Sequence, residues 1–363
     1  MRRLTEKKRH ELDLLCRAGA GLAPIAPAVC RLAREMVGAE ACALFWLDAD
    51  GHPEGFFHEH STADAQELFL NEFDRLFVGP AEINVAALAQ TQGARVGRLL
   101  DVPASYYRSN TFNLLVRASG HHHSLDLRVD VDGRARAVLL LFRTRVRAFD
   151  DGDAALLTRI EPYLQRALSG AREAAARSRP PLRTGHLLLG QGGRQLLMLS
   201  GDAEALLKAC TLVGQDVRLT GPLQVVPRFV RDLCAQMEAS GQPTARRWLD
   251  IPAGRLALTA CRLHAPAQHA QGPALPTLVT LELAAPERLH LVQRVLELEL
   301  SPLQREIALH AGLGGVRADC EREIGVSKEA LKKHLKAIYR AAGVVDWTGL
   351  SSSLGGVGER ASG

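Results

Sequence analysis

The side chains in this sequence best suited to chemistry are cations. The stretch KEALKKHLKAIYR carries Lys328, Lys332, Lys333, Lys336 and Arg340 against one acid, Glu329, a local charge of +4 in a chain of formal net charge +5. At a helical repeat of about 3.6 residues, Leu331, Leu335, Ile338 and Ala342 share one side and the basic residues form a broad arc beside it. Such a face neutralises phosphates, and every phosphate neutralised releases counterions. Histidines form a second set. His58 and His60 alternate along one predicted strand and His121 and His123 along another, so each pair would project from one sheet face, where imidazoles can ligate a metal or haem. Both pairs lie near turn residues, and no carboxylate or cysteine stands at a matching spacing. No metal and no cofactor are therefore expected, with these four as the only candidates. A third set is aromatic: Trp46, Phe56, Tyr106 and Tyr107, with Phe57, are candidates to line a small-molecule pocket, although residues this large more often fill a core.

Other chemistries are disfavoured. There is no Gly-rich phosphate loop, GxSxG elbow or HExxH pair, so an enzyme is not expected. Seven cysteines stand singly without a CxxC pair, which argues for buried thiols rather than a disulfide framework or a thiolate zinc site. A hydrophobic fraction of 47% and a charged fraction of 23% are those of a soluble globular protein, and no apolar run approaches the roughly 18 residues of a membrane span. The amino-terminal MRRLTEKKRHELDLLC has charges where a signal peptide needs an apolar stretch. A cytoplasmic protein without a membrane partner is expected.

The elements that must position these residues can be placed along the chain. Residues 4 to 37 read as two helices around GLAPIAP, and ACALFWLD and EGFFHEH form a hairpin across ADGHP. Residues 61 to 110 mix the helical pattern AQELFLNEFDRLF with Gly and Pro breaks and have no clear order. HHHSLDLRV and RARAVLLLFRT form a second hairpin with an Asp-Gly turn. A long helix follows, on which Leu156, Ile160, Leu164 and Leu168 recur every fourth residue. ARSRPPLRTG, residues 176–185, reads as a linker. Beyond it come a hairpin running into a helix, then VPRFVRDLCAQM as another helix, then three strands within RRWLDIPAGRLALTACRL and LPTLVTLELAA. PERLHLVQRVLELEL places Leu289, Val292, Val295, Leu296 and Leu300 at helical spacing, predicting a connecting helix over 286–299. The Ser/Gly-rich end, residues 353–363, reads as a disordered tail.

Residues 300–352 comprise three helical segments broken by Gly-Gly and Gly-Val-Ser, with Ser301 and Ser327 as caps, Pro302 in a first turn and Gly325 as a stop. Leu300-Ser301-Pro302, Arg305-Glu306, Gly314, Gly325-Val326-Ser327, Lys332-x-His334 and Ile338-Tyr339-Arg340 with Gly343-Val344 fall at the intervals of a LuxR-type helix-turn-helix, which this segment resembles. The resemblance implies binding to double-stranded DNA: the helix from Ser327 to Ala342 would enter the major groove, with Ser327, Lys328, Lys332, Lys333, Lys336 and Arg340 as the contact set and His334 in support. Two departures are Glu321, where the family has a small residue, and the short polar fourth segment from Trp347 to Ser352. They keep open an alternative in which the segment binds a protein. Residues 1–175 resemble the GAF-like sensor half of such regulators, and 186–285 resembles a PAS domain. The expectation is thus an α+β chain with GAF/PAS-like antiparallel-sheet sensor domains followed by an all-α helix-turn-helix domain. It would act as a homodimeric transcription regulator answering a small-molecule effector or partner.

Overall fold

A computed structural model describes residues 2–90, 96–98, 102–144, 147–170, 181–190, 192–264 and 275–355. The chain is mixed α+β, with two five-stranded antiparallel sheets. It divides into two compact units: the described residues of Met1–Ala20 and Pro286–Gly363 form one, and those of Gly21–Gly170 and Arg177–Ala285 the other. The first helix therefore belongs with the carboxy-terminal helices rather than with the expected 1–175 domain.

In the sheet-bearing unit, α2 (Ala26–Val37) leads into β1 (Ala41–Leu47), β2 (Pro53–His58), α3 (Ala63–Leu76), α4 (Val85–Gln90), β3 (Val96–Arg98), β4 (His123–Val131), β5 (Arg134–Arg143), α5 (Asp151–Thr158) and α6 (Glu161–Ser169). The strand order is β2-β1-β5-β4-β3. Every residue of β1 is buried, because both faces of the sheet are covered, and this is why ACALFWL reads as a continuous apolar run rather than an alternating one. Ala41, Ala43, Phe45 and Leu47 face a core cluster with Phe69, Leu70, Phe73 and Phe77, while α2 and α6 pack against the sheet. The long helix expected after β5 is two helices. Pro162 sits in the first turn of α6; inside a continuous helix its ring would strike the carbonyl four residues back, so the chain breaks and restarts there.

The second sheet repeats the order of the first, β7-β6-β10-β9-β8. It is built from β6 (Arg183–Gly190), β7 (Gln195–Leu199), α7 (Gly201–Ala209), α8 (Arg228–Ser240), β8 (Thr244–Ile251), β9 (Gly254–Arg262) and β10 (Thr277–Ala284). Of the expected linker, residues 176–180 lie outside the described residues, and Arg183–Gly185 belong to β6. A segment after α7 ties this sheet to the first. Leu212 bridges Gly55 antiparallel, Phe56 N donates to Thr211 O at 3.0 Å and Val213 N to Glu54 O at 2.9 Å. On α3, Asn71 Nδ2 donates to Val217 O at 3.0 Å, and the Glu67 carboxylate accepts from Leu219 N and from the Thr220 hydroxyl. Gly55 is required here: a Cβ would lie 2.8 Å from Thr211 O and 2.6 Å from the Trp46 ring. The free edge of β2 is thereby covered.

The helical unit holds α1 (Arg2–Cys16), α9 (Glu287–Glu297), α10 (Pro302–Gly312), α11 (Arg317–Ile324), α12 (Lys328–Ala342) and α13 (Trp347–Gly355). The expected connecting helix, α9, packs against α1, α10 and α13, burying Leu289, Leu291, Val292 and Val295; Leu296 is only partly buried. The expected disordered tail is also corrected: residues 353–355 are the last turn of α13, which buries Leu350 and Leu354, and residues 356–363 lie outside the described residues. Apolar contact of Leu354 with Gly312 of α10 holds this turn despite its weak helix formers. No helix among the described residues is long and apolar enough to cross a membrane.

One buried ion pair fastens the first sheet to its helices. Arg143, 4% exposed, donates to Asp153 at 2.8 Å and to the carbonyls of Val37, Gly38 and Ala148, with its guanidinium 4.1 Å from the Phe149 ring centroid. Replacing Arg143 by Met should destabilise the chain by about 3 to 5 kcal/mol, because the Asp153 carboxylate is left buried without its counter-charge, and adding Asp153→Asn, which removes the charge but keeps an acceptor for Asp150 N, should recover part of the loss. Urea unfolding of both variants checks this; a double variant no more stable than Arg143→Met would show that the pair is not the cause.

Candidate functional site

Above the first sheet, on the face opposite Arg143, lies a cavity of about 290 Å³. Strand alternation decides which side chains reach it. Phe45 and Phe56 line it, whereas their neighbours Trp46 and Gly55, which pair with each other across β1 and β2, lie on the other face. From β5 it is Leu140 and Phe142, and from β4 Ser124 and Asp126. Phe69 comes from α3, which Thr62 caps by accepting from Ala65 N at 3.2 Å. Phe45, Phe56 and Phe69 form a ring cluster with centroids 5.0 to 5.5 Å apart.

The polar part of the wall is held in place by its own hydrogen bonds. Glu82 accepts from the backbone N–H of Asn110 and Thr111 and from the Thr111 hydroxyl, fixing the start of a π-helical turn, Thr111–Val116. Asn84 Nδ2 donates to Phe77 O at 2.6 Å, its Oδ1 accepts from Ala86 N, and Gln66 Nε2 donates to Ser61 O. Two histidines meet at one end. The rings of His58 and His121 are stacked 6.0 Å apart, and each stacks on Phe142, at 5.3 and 4.9 Å. His58 Nδ1 lies 2.6 Å from Glu59 O; a carbonyl only accepts, so this nitrogen carries the proton and Nε2 is left as an acceptor. His121 Nε2 is buried without a hydrogen-bond partner. Burial lowers the His58 pKa to about 4 and also lowers that of His121, so both rings are neutral near pH 7.

Of the four aromatic candidates, Phe56 and Tyr106 line the cavity. Trp46 is buried on the opposite sheet face, and Tyr107 is 41% exposed, its ring against Tyr106 and Phe112. The histidine pairing also differs from the alternation expected. His60 lies beyond β2 in a left-handed turn with φ 61°, His121 precedes β4, and His123 begins β4 with its ring against His122. The sheet brings together His58 and His121, one from each expected pair. Among the described residues no group of three or more His, Cys, Asp or Glu side chains is placed to hold a metal ion. The Phe142 stack and the α3 aromatics were missed, although Phe69, Phe73 and Phe77 recur every fourth residue in AQELFLNEFDRLF.

The cationic set lies on α12. Gly325, at φ 73°, closes α11 in a left-handed conformation that few other residues adopt, and Ser327 opens α12 by accepting from Ala330 N at 3.3 Å. Leu331, Leu335 and Ile338 are buried, with Ala342 and His334 partly so, and Lys328, Lys332, Lys333, Lys336 and Arg340 are all exposed. His310 on α10 bridges the turn to α11: Nε2 donates to Val316 O at 3.1 Å and Nδ1 lies 3.2 Å from Glu323. The fourth segment is anchored, since Trp347 Nε1 donates to Gly315 O at 3.0 Å.

The cavity histidines carry a pH signature. A base whose pKa falls on folding binds fewer protons folded than unfolded, so the contribution of His58 is complete above the ordinary 6.5 and is lost as pH falls toward about 4. It should amount to at most about 3 kcal/mol. His58→Phe should flatten the decline of unfolding free energy between these pH values; an unchanged slope would assign that decline to other groups.

No family model matches the sequence, and no curated protein matches it. Among solved structures, the sensor region of a sensor histidine kinase is 13% identical over 71% of this chain and 92% of its own, with a TM-score of 0.21. The E. coli DhaR(N)–DhaL complex is 14% identical over 77% of this chain and 89% of its own, TM-score 0.25. The ligand-binding domain of the Pseudomonas fluorescens chemoreceptor CtaA, in complex with L-leucine, is 11% identical over 79% of this chain and 92% of its own, TM-score 0.17. TM-scores of this size lie below those of a shared fold.

Proposed function

We propose that this chain is a DNA-binding transcription regulator of the LuxR type, in which the sheet-bearing unit senses a small molecule and the helical unit binds double-stranded DNA. The carrying observation is the exposed face of α12. Lys328, Lys332 and Lys336 stand one turn apart along it, and neither they nor Lys333 and Arg340 have an ion-pair partner among the described residues. A solvated basic face on which one acid, Glu329, stands among five cations is suited to phosphates, and the buried Leu331–Leu335–Ile338 edge fixes which way it points. On this reading α12 is the recognition helix, Ser327 at its cap lies closest to the duplex, and two copies occupy adjacent half-sites.

The sensing half of the reading rests on the cavity. Its wall shares elements with the seam between the sheets: Phe56 lines the cavity while its backbone bonds Thr211, and α3 turns Phe69 inward while Glu67 and Asn71 hold residues 217–220. A molecule in the cavity would thus bear on the second sheet through packed elements. The reading implies a cytoplasmic, homodimeric protein with no catalytic role and no resident cofactor.

Fluorescence anisotropy with a labelled duplex from the region upstream of its own coding sequence tests the DNA half. Lys332→Ala with Lys336→Ala should weaken binding roughly tenfold or more and lower the salt slope by about 0.9 for each phosphate no longer neutralised, with the fold retained. Unchanged, salt-sensitive affinity in the double variant would refute the role of α12, and no duplex binding by the unaltered chain would favour a protein partner for the helical unit.

A further inference from the structure

The cavity interrupts the core cluster of the first sheet. Protein interiors pack to the density of organic crystals, with few voids larger than a water molecule, yet about 290 Å³ stays open among side chains from the strands, from α3 and from the stretch between Ile83 and Val116. Ile83, Leu88, Leu115 and Leu140 pack against the core cluster and are nevertheless only partly buried. Each forfeits dispersion contacts on the cavity side. A molecule that fills the space with apolar atoms restores those contacts and removes apolar surface from water.

The polar groups of the wall do not set the charge or the hydrogen-bonding sense of what enters. His58, Tyr106, Ser124 and Asp126 offer donors and acceptors together. The apolar surface does select, by size and by shape. An apolar cavity of roughly 150 Å³ holds one benzene, so a volume of about 290 Å³ corresponds to about two fused rings. Aromatic side chains set the shape. Phe45 and Phe56 are stacked at 5.5 Å with their planes 17° apart, and Phe69 stands edge-on to Phe56 at 5.0 Å and 67°. A further aromatic ring beside such a set finds both a face and an edge, which stabilises it beyond the area it buries. A saturated ring system of the same size gains the burial without that electrostatic fit.

We infer that the cavity takes a bicyclic aromatic molecule of about the size of naphthalene or indole, its rings packed against Phe45, Phe56, Phe69 and Phe142. The inference rests on the effector-site reading of the cavity and specifies its ligand class.

The test is a titration of the full chain with 2-naphthol, followed by the fluorescence of the naphthol, with decahydro-2-naphthol and 9-phenanthrol as competitors. The first competitor keeps the carbon skeleton and the hydroxyl but is saturated; the second adds a third ring. 2-Naphthol should bind at least about fivefold more tightly than either. Phe45→Leu and Phe69→Leu should each weaken 2-naphthol by about threefold or more while leaving decahydro-2-naphthol within about twofold, a pattern that general loss of the cavity would not give. Leu140→Trp, which fills the cavity, should abolish binding of 2-naphthol. Either competitor binding as tightly as 2-naphthol would overturn the inference, as would no binding of 2-naphthol or its retention in Leu140→Trp. The effector reading is decided separately, by the affinity of Leu140→Trp for duplex DNA: an affinity equal to that of the unaltered chain would refute that reading and leave the ligand class standing.

Discussion

The buried guanidinium of Arg143 is the interaction on which the first sheet and its cavity depend. It joins the end of α2, the end of β5 and the start of α5 through three carbonyls and the Asp153 carboxylate. Asp153 in turn closes the cap of α5, exchanging bonds with Asp150. A charge so buried is tolerable only because every part of the fork has a partner or an aromatic face. Its consequence reaches the opposite side of the sheet. Phe142, the preceding residue, points into the cavity and carries both histidine rings, and the Arg143 carbonyl accepts from His122 N at 2.9 Å. The geometry of the histidine pair is thus fixed by a salt bridge that does not touch it.

The second constraint is the edge of β2. An uncovered edge next to a partly hollow core would leave backbone groups unpaired and the cavity wall loose. Residues 211–220 remove both problems by bonding β2 and α3 at several points, and Val213 and Leu219 pack against the same cluster that forms the cavity wall. The segment that follows α7 therefore braces the core cluster behind the cavity without lining the cavity itself. In the helical unit the corresponding economy is in the turns. Gly325, Ser327, His310 and Trp347 each satisfy a helix end, without using any of the exposed cations of α12.

Much was legible from local pattern. The hairpins, the two helices flanking the second sheet's inner strands and the boundaries of α12 follow from alternation, turn residues and caps, all of which act within a few residues. Where the sequence misled, a non-local effect prevailed. Leu156, Ile160, Leu164 and Leu168 suggested one helix, but Pro162 divides it and the buried set is Leu157, Ile160, Leu164 and Ala167. Residues 353–355 read as tail because their propensities are poor; packing of Leu350 and Leu354 made them helix. The opening helix, next to the first sheet in sequence, packs instead with helices from the other end of the chain.

By itself, the sequence determined that the chain is mixed α+β, that 328–340 is a basic amphipathic helix, and that large aromatics and histidines cluster around the first two hairpins. Periodicity and capping carry that information, because they depend on neighbours along the chain. Only the tertiary structure decided which aromatics share a cavity, that His58 faces His121 rather than His60, and that one strand face holds Phe45 while Trp46 turns away. Those outcomes depend on strand register and sheet order, where a shift of one residue exchanges the faces, and register is set by contacts between segments far apart in sequence.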